Sequence, residues 1–366
     1  MGESTATRYA RIDGQFRMHR GGYLESPQIA YETWGRLNDR GDNAVLIFTG
    51  LSPSAHATSS TENPASGWWE DMVGAGLPVD TDRFFVICVN SLGSCYGSTG
   101  PASVNPETGE RYRLTFPTLT LEDVAVGARA VLRDLDIDRL HSVIGCSMGG
   151  MSGLAFCVRY PDVARAFLSI SSATRALPFS IAVRSLQREM IWRDPLWDGG
   201  DYSDDSPPVL GQRMARKLGM ITYRSAEEWD KRFGRERSAS EGHPGNRFRG
   251  DFAVESYLEY QANRFVGEFD ANCYLYLSRA SDLFDFAEHG GSLEAAFNQL
   301  HLERAMVIGV RTDFLFPLHQ QQALVEDLRR VVPDCELVEL DCLKGHDSFL
   351  TEMDAFRPVV ARFYAA

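Results

Sequence analysis

The sequence predicts an α/β fold with a mostly parallel central sheet, and three observations support this prediction. Short apolar runs rich in β-branched residues alternate with helix-like segments. Each run is apolar at nearly every position, which is typical of a strand buried on both faces rather than on one. The alternation stops for more than a hundred residues and then resumes, which indicates a helical insertion within one sheet domain.

The predicted elements follow one another in a regular order. Residues 43–49 (NAVLIFT) form the first buried strand, and residues 83–90 (RFFVICVN) repeat its pattern. A helical segment at 121–135 begins after Thr120, a suitable N-cap, and leads into a third strand at 141–146. Three further runs at 166–170, 305–310 and 335–340 are predicted strands, and the last two flank an amphipathic helix at 320–331.

Residues 173–290 lack this alternation and are helical, aromatic and charged in character. We therefore predict a core made of residues 1–172 and 291–366, with residues 173–290 inserted as a helical lid. Within the insertion, the locally basic and Gly/Ser-rich stretch 232–250 is predicted to be a mobile surface loop.

Composition excludes several classes of function. The 366 residues contain 37 Lys+Arg and 50 Asp+Glu, a formal charge of −13, so no basic face for nucleic acid or an anionic membrane is expected. The seven cysteines are scattered without a C-x-x-C pair, as in reduced cytoplasmic proteins. There is no signal-peptide core, no apolar stretch long enough to span a membrane and no metal-binding motif, which predicts a cytosolic protein without a metal site.

The strongest chemical motif is Gly145-Cys146-Ser147-Met148-Gly149 between a predicted strand and a predicted helix. A G-x-S-x-G sequence in this position is typical of a nucleophile elbow, in which a strained turn exposes the serine hydroxyl above the sheet. The flanking positions must be glycines because there is room only for hydrogen atoms. The alternative is an ordinary tight turn between strand and helix.

A nucleophilic serine needs a general base and a third group that orients the base. In the chain order Ser, Asp, His, Asp313 follows the run 305–310 at the carboxyl end of the predicted sheet. His346 follows the run 335–340 in LKGHDSFL, where a glycine lets the loop bring the imidazole over the sheet. For Asp313 the alternative is a structural Asx turn before Pro317.

The loop at residues 49–56 (TGLSPSAH) follows the first predicted strand, where an oxyanion hole is usually built. The backbone N–H groups of Leu51 and Met148 are the candidate donors. We interpret His56, in the same loop, as a loop-shaping or pocket residue. Cys95 in GSCYG resembles a second elbow, but turn residues rather than a helix follow it, so we interpret Cys95 as structural or pocket-lining.

Six long motifs follow one another along nearly the whole chain: NSLGSCYGSTGPASVNPETG (90–109), GCSMGGM (145–151), MARKLGMITYRS (214–225), FAVESYLEYQANRFVGEFDANCYLYLSRASD (252–282), VIGVRTDFLFP (307–317) and KGHDSFL (344–350). Together they resemble the homoserine O-acyltransferase family, the α/β-hydrolase-fold acyltransferases of methionine and cysteine biosynthesis. The resemblance implies acyl transfer from acyl-CoA to the hydroxyl of a small amino acid through an acyl-Ser147 intermediate.

The resemblance also implies roles for particular residues. The family's catalytic triad coincides with Ser147, Asp313 and His346. Arg216 is expected to hold the carboxylate of the acceptor amino acid, and Asp347 its amino group, as a zwitterion requires. Without the resemblance, Arg216 would be interpreted as a solvated helix residue.

Two departures from the family pattern bear on the substrates. Where relatives that act on homoserine usually carry HALTGDSH, this chain has TGLSPSAH, with Ser52, Pro53, Ser54 and Ala55 at the altered positions. A proline and a longer loop are expected to shorten the acceptor pocket and to favour serine over homoserine, and the segment looks like that of the serine O-succinyltransferase subgroup. One methylene changes the binding free energy in a pocket by about 1–3 kcal/mol, so the preference for serine over homoserine is expected to be incomplete.

The second departure is Arg184, where acetyl-using relatives commonly have an uncharged residue. A guanidinium in the lid would pair with the carboxylate of a succinyl group and discriminate against acetyl. The alternative is an exposed helix arginine, with Arg188 as the fallback partner for the carboxylate.

The resulting hypothesis is an O-succinyltransferase that takes succinyl-CoA as a substrate rather than as a bound cofactor and acylates L-serine. The alternatives are a homoserine O-acetyltransferase or O-succinyltransferase, a serine esterase or hydrolase, and a pseudoenzyme that serves as a binding module. The resemblance implies a homodimer formed through the lid helices; the aromatic segment from Phe252 to Tyr276 is compatible with such an interface, or with the core of the lid.

Overall fold

The computed structural model describes residues 5–238 and 250–365 of the chain. Twelve strands lie in these residues: β1 (Arg8–Arg11), β2 (Gln15–Arg17), β3 (Tyr23–Glu25), β4 (Gln28–Trp34), β5 (Ala44–Phe48), β6 (Val73–Gly74), β7 (Val79–Asp80), β8 (Phe85–Val89), β9 (Leu140–Cys146), β10 (Ala164–Ile170), β11 (Arg304–Val310) and β12 (Asp334–Leu340).

Eight of these strands form one sheet in the order β1-β4-β8-β5-β9-β10-β11-β12. From β8 to β12 neighbouring strands run parallel, whereas β4 is antiparallel to both β8 and β1. The pairs β2–β3 and β6–β7 form small separate sheets. The parallel strands therefore place their carboxyl ends along one edge of the sheet, where the loops that follow them meet.

The described residues also contain eleven α-helices: α1 (Leu121–Asp134), α2 (Met148–Arg159), α3 (Pro178–Trp192), α4 (Val209–Tyr223), α5 (Ala226–Phe233), α6 (Ala253–Phe265), α7 (Ala271–Leu283), α8 (Leu293–Phe297), α9 (Leu318–Leu328), α10 (Ser348–Thr351) and α11 (Met353–Ala365). The helices α1, α2 and α9 pack on one face of the main sheet, and α11 packs on the other.

Burial of the sheet on both faces explains why its strands are apolar at successive positions. In β5, Leu46 and Phe48 belong to one apolar cluster, while Val45 and Ile47 belong to the cluster on the opposite face. Because side chains alternate across a strand, an element buried on both faces has no polar side. The prediction of an α/β fold with a mostly parallel sheet is confirmed.

The element bounds agree with the sequence analysis to within two or three residues. Thr120 is the N-cap of α1, and the Asp123 carboxylate accepts a hydrogen bond of 2.8 Å from the Thr120 N–H. The predicted helix at 320–331 is α9 (Leu318–Leu328), which begins earlier, with Pro317 as its N-cap residue.

The amino-terminal strands were not predicted, and of these β1 and β4 form the antiparallel edge of the main sheet. The pattern of β4 (QIAYETW) is interrupted by Glu32, which is nevertheless buried. A carboxylate in a strand interior is not expected unless another residue pairs with it, and in this structure that residue is His56, far along the chain.

Helices α3 to α7 lie between β10 and β11, in the segment predicted to be a helical insertion. Helix α3 packs on α4 and α7, and α4 packs on α6. Residues 239–249 of the predicted surface loop lie outside the described residues. None of the helices in the described ranges is long and apolar enough to cross a membrane.

Candidate active site

Ser147 occupies a strained turn between β9 and α2. Its backbone angles are φ 56° and ψ −123°, a region that non-glycine residues rarely adopt. A Cβ at Gly145 would lie 2.1 Å from the carbonyl oxygen of Gly149, and one at Gly149 would lie 2.3 Å from that of Phe48. The two glycines are thus required by close backbone approach, as predicted for a nucleophile elbow.

The structure brings Ser147, His346 and Asp313 together, although they are distant in sequence. Nε2 of His346 lies 2.8 Å from Oγ of Ser147, and its Nδ1 lies 2.7 Å from Oδ2 of Asp313. His346 and Asp313 are both buried. This is the arrangement in which an imidazole can take the serine proton while the carboxylate holds its tautomer.

Asp313 also forms the turn that was considered as its alternative role. Its Oδ1 accepts hydrogen bonds of 2.9 Å from the backbone N–H groups of Leu315 and Phe316. The two oxygens of one carboxylate therefore serve different partners, and the turn orients the oxygen that faces His346.

Aromatic rings and a glycine fix the position of His346. Gly345 has φ 63°, and a Cβ there would lie 3.0 Å from the carbonyl oxygen of Tyr223 in the lid. Phe316 stacks on the imidazole with centroids 5.2 Å apart, and Phe349 packs edge-on at 5.6 Å. The imidazole is held between the core and the lid.

A narrow pocket beside Ser147 is formed by the first loop, the elbow and the lid, and its lining includes Leu51, Met148, Arg184, Gln187, Thr222, Tyr223, Tyr274, Ser281, Leu315 and Phe316. Among the described residues, none accepts a hydrogen bond from the backbone N–H of Leu51 or Met148. Both predicted oxyanion donors therefore border the pocket with their N–H groups unused.

The four altered positions of the first loop lie outside the pocket lining, whereas Leu51 is part of it. Ser52, Pro53, Ser54 and Ala55 are absent from the lining of this pocket, and Ala55 is buried. His56 stabilises the loop from behind: its Nδ1 lies 2.8 Å from Oε2 of Glu32, and its Nε2 lies 2.8 Å from the Ala65 carbonyl oxygen. Of the two roles considered for His56, the structure supports loop shaping.

Arg184 is buried, with 7% of its surface exposed, so the interpretation as an exposed helix arginine is wrong. Its Nε lies 2.6 Å from Oδ1 of Asp282, whose Oδ2 lies 2.7 Å from Nη2 of Arg188. Nη2 of Arg184 is buried without a hydrogen-bond partner. Arg184 is also one of the residues that line the pocket containing Ser147.

Asp347 is paired with Arg224, which is not among the predicted site residues. Nε of Arg224 lies 3.1 Å from Oδ2 of Asp347, and Nη1 of the same guanidinium lies 3.2 Å from Oε1 of Glu228. Burial raises the pKa of the Asp347 carboxyl, although the charges of Arg224 and Arg216 act in the opposite direction. Arg224 lies in the quoted motif MITYRS, but only the fold reveals its partner.

Arg216 is half-buried, which corrects its interpretation as a solvated helix residue. Its guanidinium lies over the ring of Phe265, 4.6 Å from the centroid, and its Nε is buried without a hydrogen-bond partner. Its charge acts on both Asp347 and Tyr223. Neither Arg216 nor Asp347 is among the residues that line the pocket with Ser147, but the charges of both act on Tyr223, which does line it.

Cys95 has a structural contact with the lid, where its Sγ accepts a hydrogen bond of 3.4 Å from the backbone N–H of Asp270. A hydrogen bond from Cys273 lowers the pKa of the Cys95 thiol, and burial raises that of Cys273 well above its usual value. Cys95 is absent from the lining of the pocket that contains Ser147.

Comparison with known proteins gives one family and several full-length relatives. A family model described as alpha/beta hydrolase fold matches residues 43–352. The serine O-succinyltransferase of Litchfieldella anticariensis is 55% identical over 98% of both chains. The L-serine/homoserine O-acetyltransferase of Streptomyces lavendulae is 53% identical over 98% of this chain and 97% of its own. The crystal structure of homoserine O-acetyltransferase from Bacillus anthracis has a TM-score of 0.90 and 26% identity, covering 98% of this chain and 97% of that one.

Proposed function

Because the chain belongs to the alpha/beta hydrolase fold family and is a full-length relative of serine O-succinyltransferases, we propose that it moves a succinyl group from succinyl-CoA to the hydroxyl of L-serine. The resemblance read from the sequence motifs agrees with these relatives. One observation carries the choice of donor: a buried guanidinium with an unused N–H group, that of Arg184, lines the same pocket as Ser147.

The first half of the reaction acylates the enzyme. His346 takes the proton of Ser147 Oγ as that oxygen attacks the thioester carbonyl of succinyl-CoA. When the tetrahedral intermediate collapses, the carbon–sulfur bond breaks, and the imidazolium gives its proton to the departing CoA thiolate. The products of this step are succinyl-Ser147 and free CoA.

The second half passes the succinyl group to the acceptor. His346 takes the proton of the L-serine hydroxyl, whose oxygen attacks the ester carbonyl of succinyl-Ser147. Collapse of the second tetrahedral intermediate releases O-succinyl-L-serine, and the proton returns to Ser147 Oγ. Each intermediate carries an oxyanion. We propose that the backbone N–H groups of Leu51 and Met148 stabilise it by donating hydrogen bonds. Met148 is also the first residue of α2, where the helix dipole favours negative charge.

The acceptor is a zwitterion, and two charged residues near the pocket suit its two ends. We propose that Arg216, whose Nε lacks a partner, binds the acceptor carboxylate, and that Asp347 binds the ammonium group. Arg224 positions the Asp347 carboxylate. The loop positions Ser52, Pro53, Ser54 and Ala55 would act on acceptor length indirectly, by setting the position of Leu51.

The succinyl carboxylate is assigned to Arg184. Asp282 neutralises part of the charge of this residue, and the buried Nη2 is left for the ligand. Charge-assisted hydrogen bonds of this kind are roughly twice as strong as neutral ones, so an acetyl donor, which lacks the carboxylate, would leave the group unpaired. The alternative is acetyl transfer or homoserine as acceptor, as the name of the Streptomyces lavendulae relative indicates for that protein.

The exposed apolar side chains of the lid support a homodimer. Leu210, Met214 and Ile221 lie on α4 at helical spacing, and each is about half exposed. Tyr260 on α6 is exposed, whereas Tyr274 on α7 is buried in the lid. We propose that this face forms the dimer contact.

We further propose that the protein works in the cytosol, in cysteine biosynthesis, without a resident cofactor.

Release of CoA thiol by the purified protein tests the function. Succinyl-CoA and acetyl-CoA are each combined with L-serine, with L-homoserine or with no acceptor. Release with succinyl-CoA that requires L-serine supports the proposal. A preference for acetyl-CoA or homoserine replaces the proposed substrate pair, and fast release without an amino acid makes the protein a hydrolase, since water then reaches the acyl-enzyme.

A further inference from the structure

A second cavity lies beside the lid helices α3 and α7. Its volume is about 470 Å³, within the usual range of small-molecule sites. Helix α3 contributes Ser185, Arg188 and Trp192 to its wall, and α7 contributes Tyr276 and Arg279. Nothing in the acyl-transfer chemistry described above uses this cavity.

The cavity and the reaction pocket share two walls. On α3, Arg184 lines the pocket with Ser147, and Arg188, one helical turn later, lines the cavity. Four residues advance an α-helix by about 6 Å, so the two spaces are close neighbours. On α7, Ser281 lines the pocket and Arg279 lines the cavity. A ligand extended over both spaces would run along this stretch of α3.

The charge of the cavity suits an anion. Among the described residues that line it, two are arginines and none is acidic, in a chain whose formal charge is −13. Arg279 is exposed, and no described residue forms an ion pair or hydrogen bond with its guanidinium. Arg188 is held by Ser278, 2.9 Å from its Nη1, and by Asp282. One fixed and one free guanidinium are a suitable pair for phosphate groups.

Three aromatic side chains, Trp192, Trp197 and Tyr276, also line the cavity, together with aliphatic and hydroxyl side chains. Trp192 is 56% exposed, which is unusual for so large an apolar side chain. Trp197 is fixed by a hydrogen bond of 3.0 Å from its Nε1 to Oδ1 of Asn272, and the Tyr276 hydroxyl donates to the Phe116 carbonyl oxygen at 2.7 Å. Rigid aromatic faces next to arginines are a general means of binding a nucleotide base by stacking.

From these features we propose that the cavity binds the phosphoadenosine end of coenzyme A, while the acyl group of the same molecule lies beside Ser147. This inference rests on the proposed function, because it names where the non-reacting part of that donor is held. Binding energy from this remote part would position the thioester for attack.

Comparing a donor that carries the nucleotide with a donor that lacks it distinguishes binding at this cavity from effects on the acyl-transfer step. With Arg279→Ala, KM for succinyl-CoA is expected to rise about 5- to 20-fold with kcat within about twofold. The succinyl thioester of N-acetylcysteamine, which lacks the nucleotide, is expected to react equally well with both proteins. Arg193→Ala is the matched control, because this exposed arginine of the same lid pairs with Glu189 and does not line the cavity.

Titration calorimetry with CoA alone provides a readout that does not depend on turnover. Weaker CoA binding by Arg279→Ala than by Arg193→Ala supports the proposal. The proposal would be overturned if Arg279→Ala lost the same activity with both donors or bound CoA as tightly as wild type. It would also be overturned if the variant changed its oligomeric state and not its KM, because the cavity would then be part of a surface between copies. If the wild-type protein transfers no acyl group but binds CoA in an Arg279-dependent way, the proposed function fails and the site stands.

Discussion

Nε of Arg184 lies 2.6 Å from Oδ1 of Asp282 inside the lid, where both side chains are more than nine-tenths buried. The same carboxylate also faces Arg188, and Nη2 of Arg184 remains buried without a partner. A buried cationic N–H group without a partner is rare, because desolvation without a hydrogen bond is costly. This unpaired group supports the proposal that the cluster binds a further anion.

The first prediction concerns donor choice. Replacing Arg184 with alanine removes the group assigned to the succinyl carboxylate. A hydrogen bond to a charged group is worth about 1.5–3 kcal/mol, so kcat/KM with succinyl-CoA should fall roughly 10- to 100-fold. The value with acetyl-CoA should change little or rise. Steady-state kinetics with both donors checks this, and an unchanged ratio of the two would remove Arg184 from the donor site.

Asp282 is predicted to position Arg184 rather than to touch the substrate. In Asp282→Asn the two arginines lose their shared counter-ion, which should lower the free energy of unfolding by about 1–3 kcal/mol. It should also raise KM for succinyl-CoA more than KM for acetyl-CoA. A purely structural role would lower the activity with both donors equally. Asp282→Glu, which restores the charge, should recover part of the donor preference.

Asp313→Asn tests the assignment of the imidazole tautomer. The backbone N–H groups of Leu315 and Phe316 should keep their hydrogen bonds to the side-chain oxygen of the new amide. This orientation directs the amide NH₂ group toward Nδ1 of His346. The imidazole would then carry its proton on Nε2 and could not accept one from Ser147. We expect kcat to fall about 10⁴-fold with little change in thermal stability. Circular dichroism serves as the folding control; activity within tenfold of wild type would contradict the role.

Acceptor binding should depend on pH through Asp347. Burial raises the pKa of this carboxyl, so it takes up a proton at a higher pH than an exposed aspartate does. The ammonium group of L-serine needs the ionised form. KM for L-serine should therefore rise as the pH falls through this pKa, whereas in Asp347→Asn it should be high and nearly independent of pH. The rate of acylation by succinyl-CoA without acceptor is the control, because it does not use Asp347.

The first loop, at residues 49–56, should be stabilised by the pair His56–Glu32. Burial alone lowers the pKa of His56, but hydrogen bonds to Glu32 and to the Ala65 carbonyl outweigh it, and the pKa is raised. The stabilisation is thus fully present below the usual histidine pKa of about 6.5 and is lost as the pH rises through the raised value.

His56→Asn should therefore lower the free energy of unfolding by about 1–3 kcal/mol at pH 6 and by less at pH 8.5. Urea unfolding at the two pH values measures the difference. His301→Asn is the matched control, because His301 forms a largely exposed pair with Asp162 and should have little effect. An equal loss at both pH values would show that the His56–Glu32 charge pair is not the cause.

Local patterns were enough to predict the parts of the site that depend on short-range geometry. The glycines around Ser147 are required by backbone contacts within one turn, and Asp313 and His346 directly follow strands whose apolar runs are visible in the sequence. Because parallel strands end at one edge of a sheet, residues after separate strands are brought together whatever their distance along the chain.

Other features had no local signal. The strand β4 was missed because buried Glu32 looks like a surface residue until His56 is placed beside it. Arg224 was missed as the partner of Asp347, and nothing in the sequence links the two residues. The cavity beside α3 and α7 depends on how the lid helices pack, which side-chain periodicity alone does not determine.

The sequence by itself determined the α/β sheet, the strained turn at Ser147 and the chain order of the three residues of the expected catalytic triad. Only the tertiary structure decided that Arg184 is buried with a free N–H group, that Arg216 is half-buried over Phe265, and that His56 supports the first loop from behind. The physical reason is that burial and pairing of a charge depend on residues brought close by the fold, whereas backbone strain and apolar periodicity are properties of a few consecutive residues.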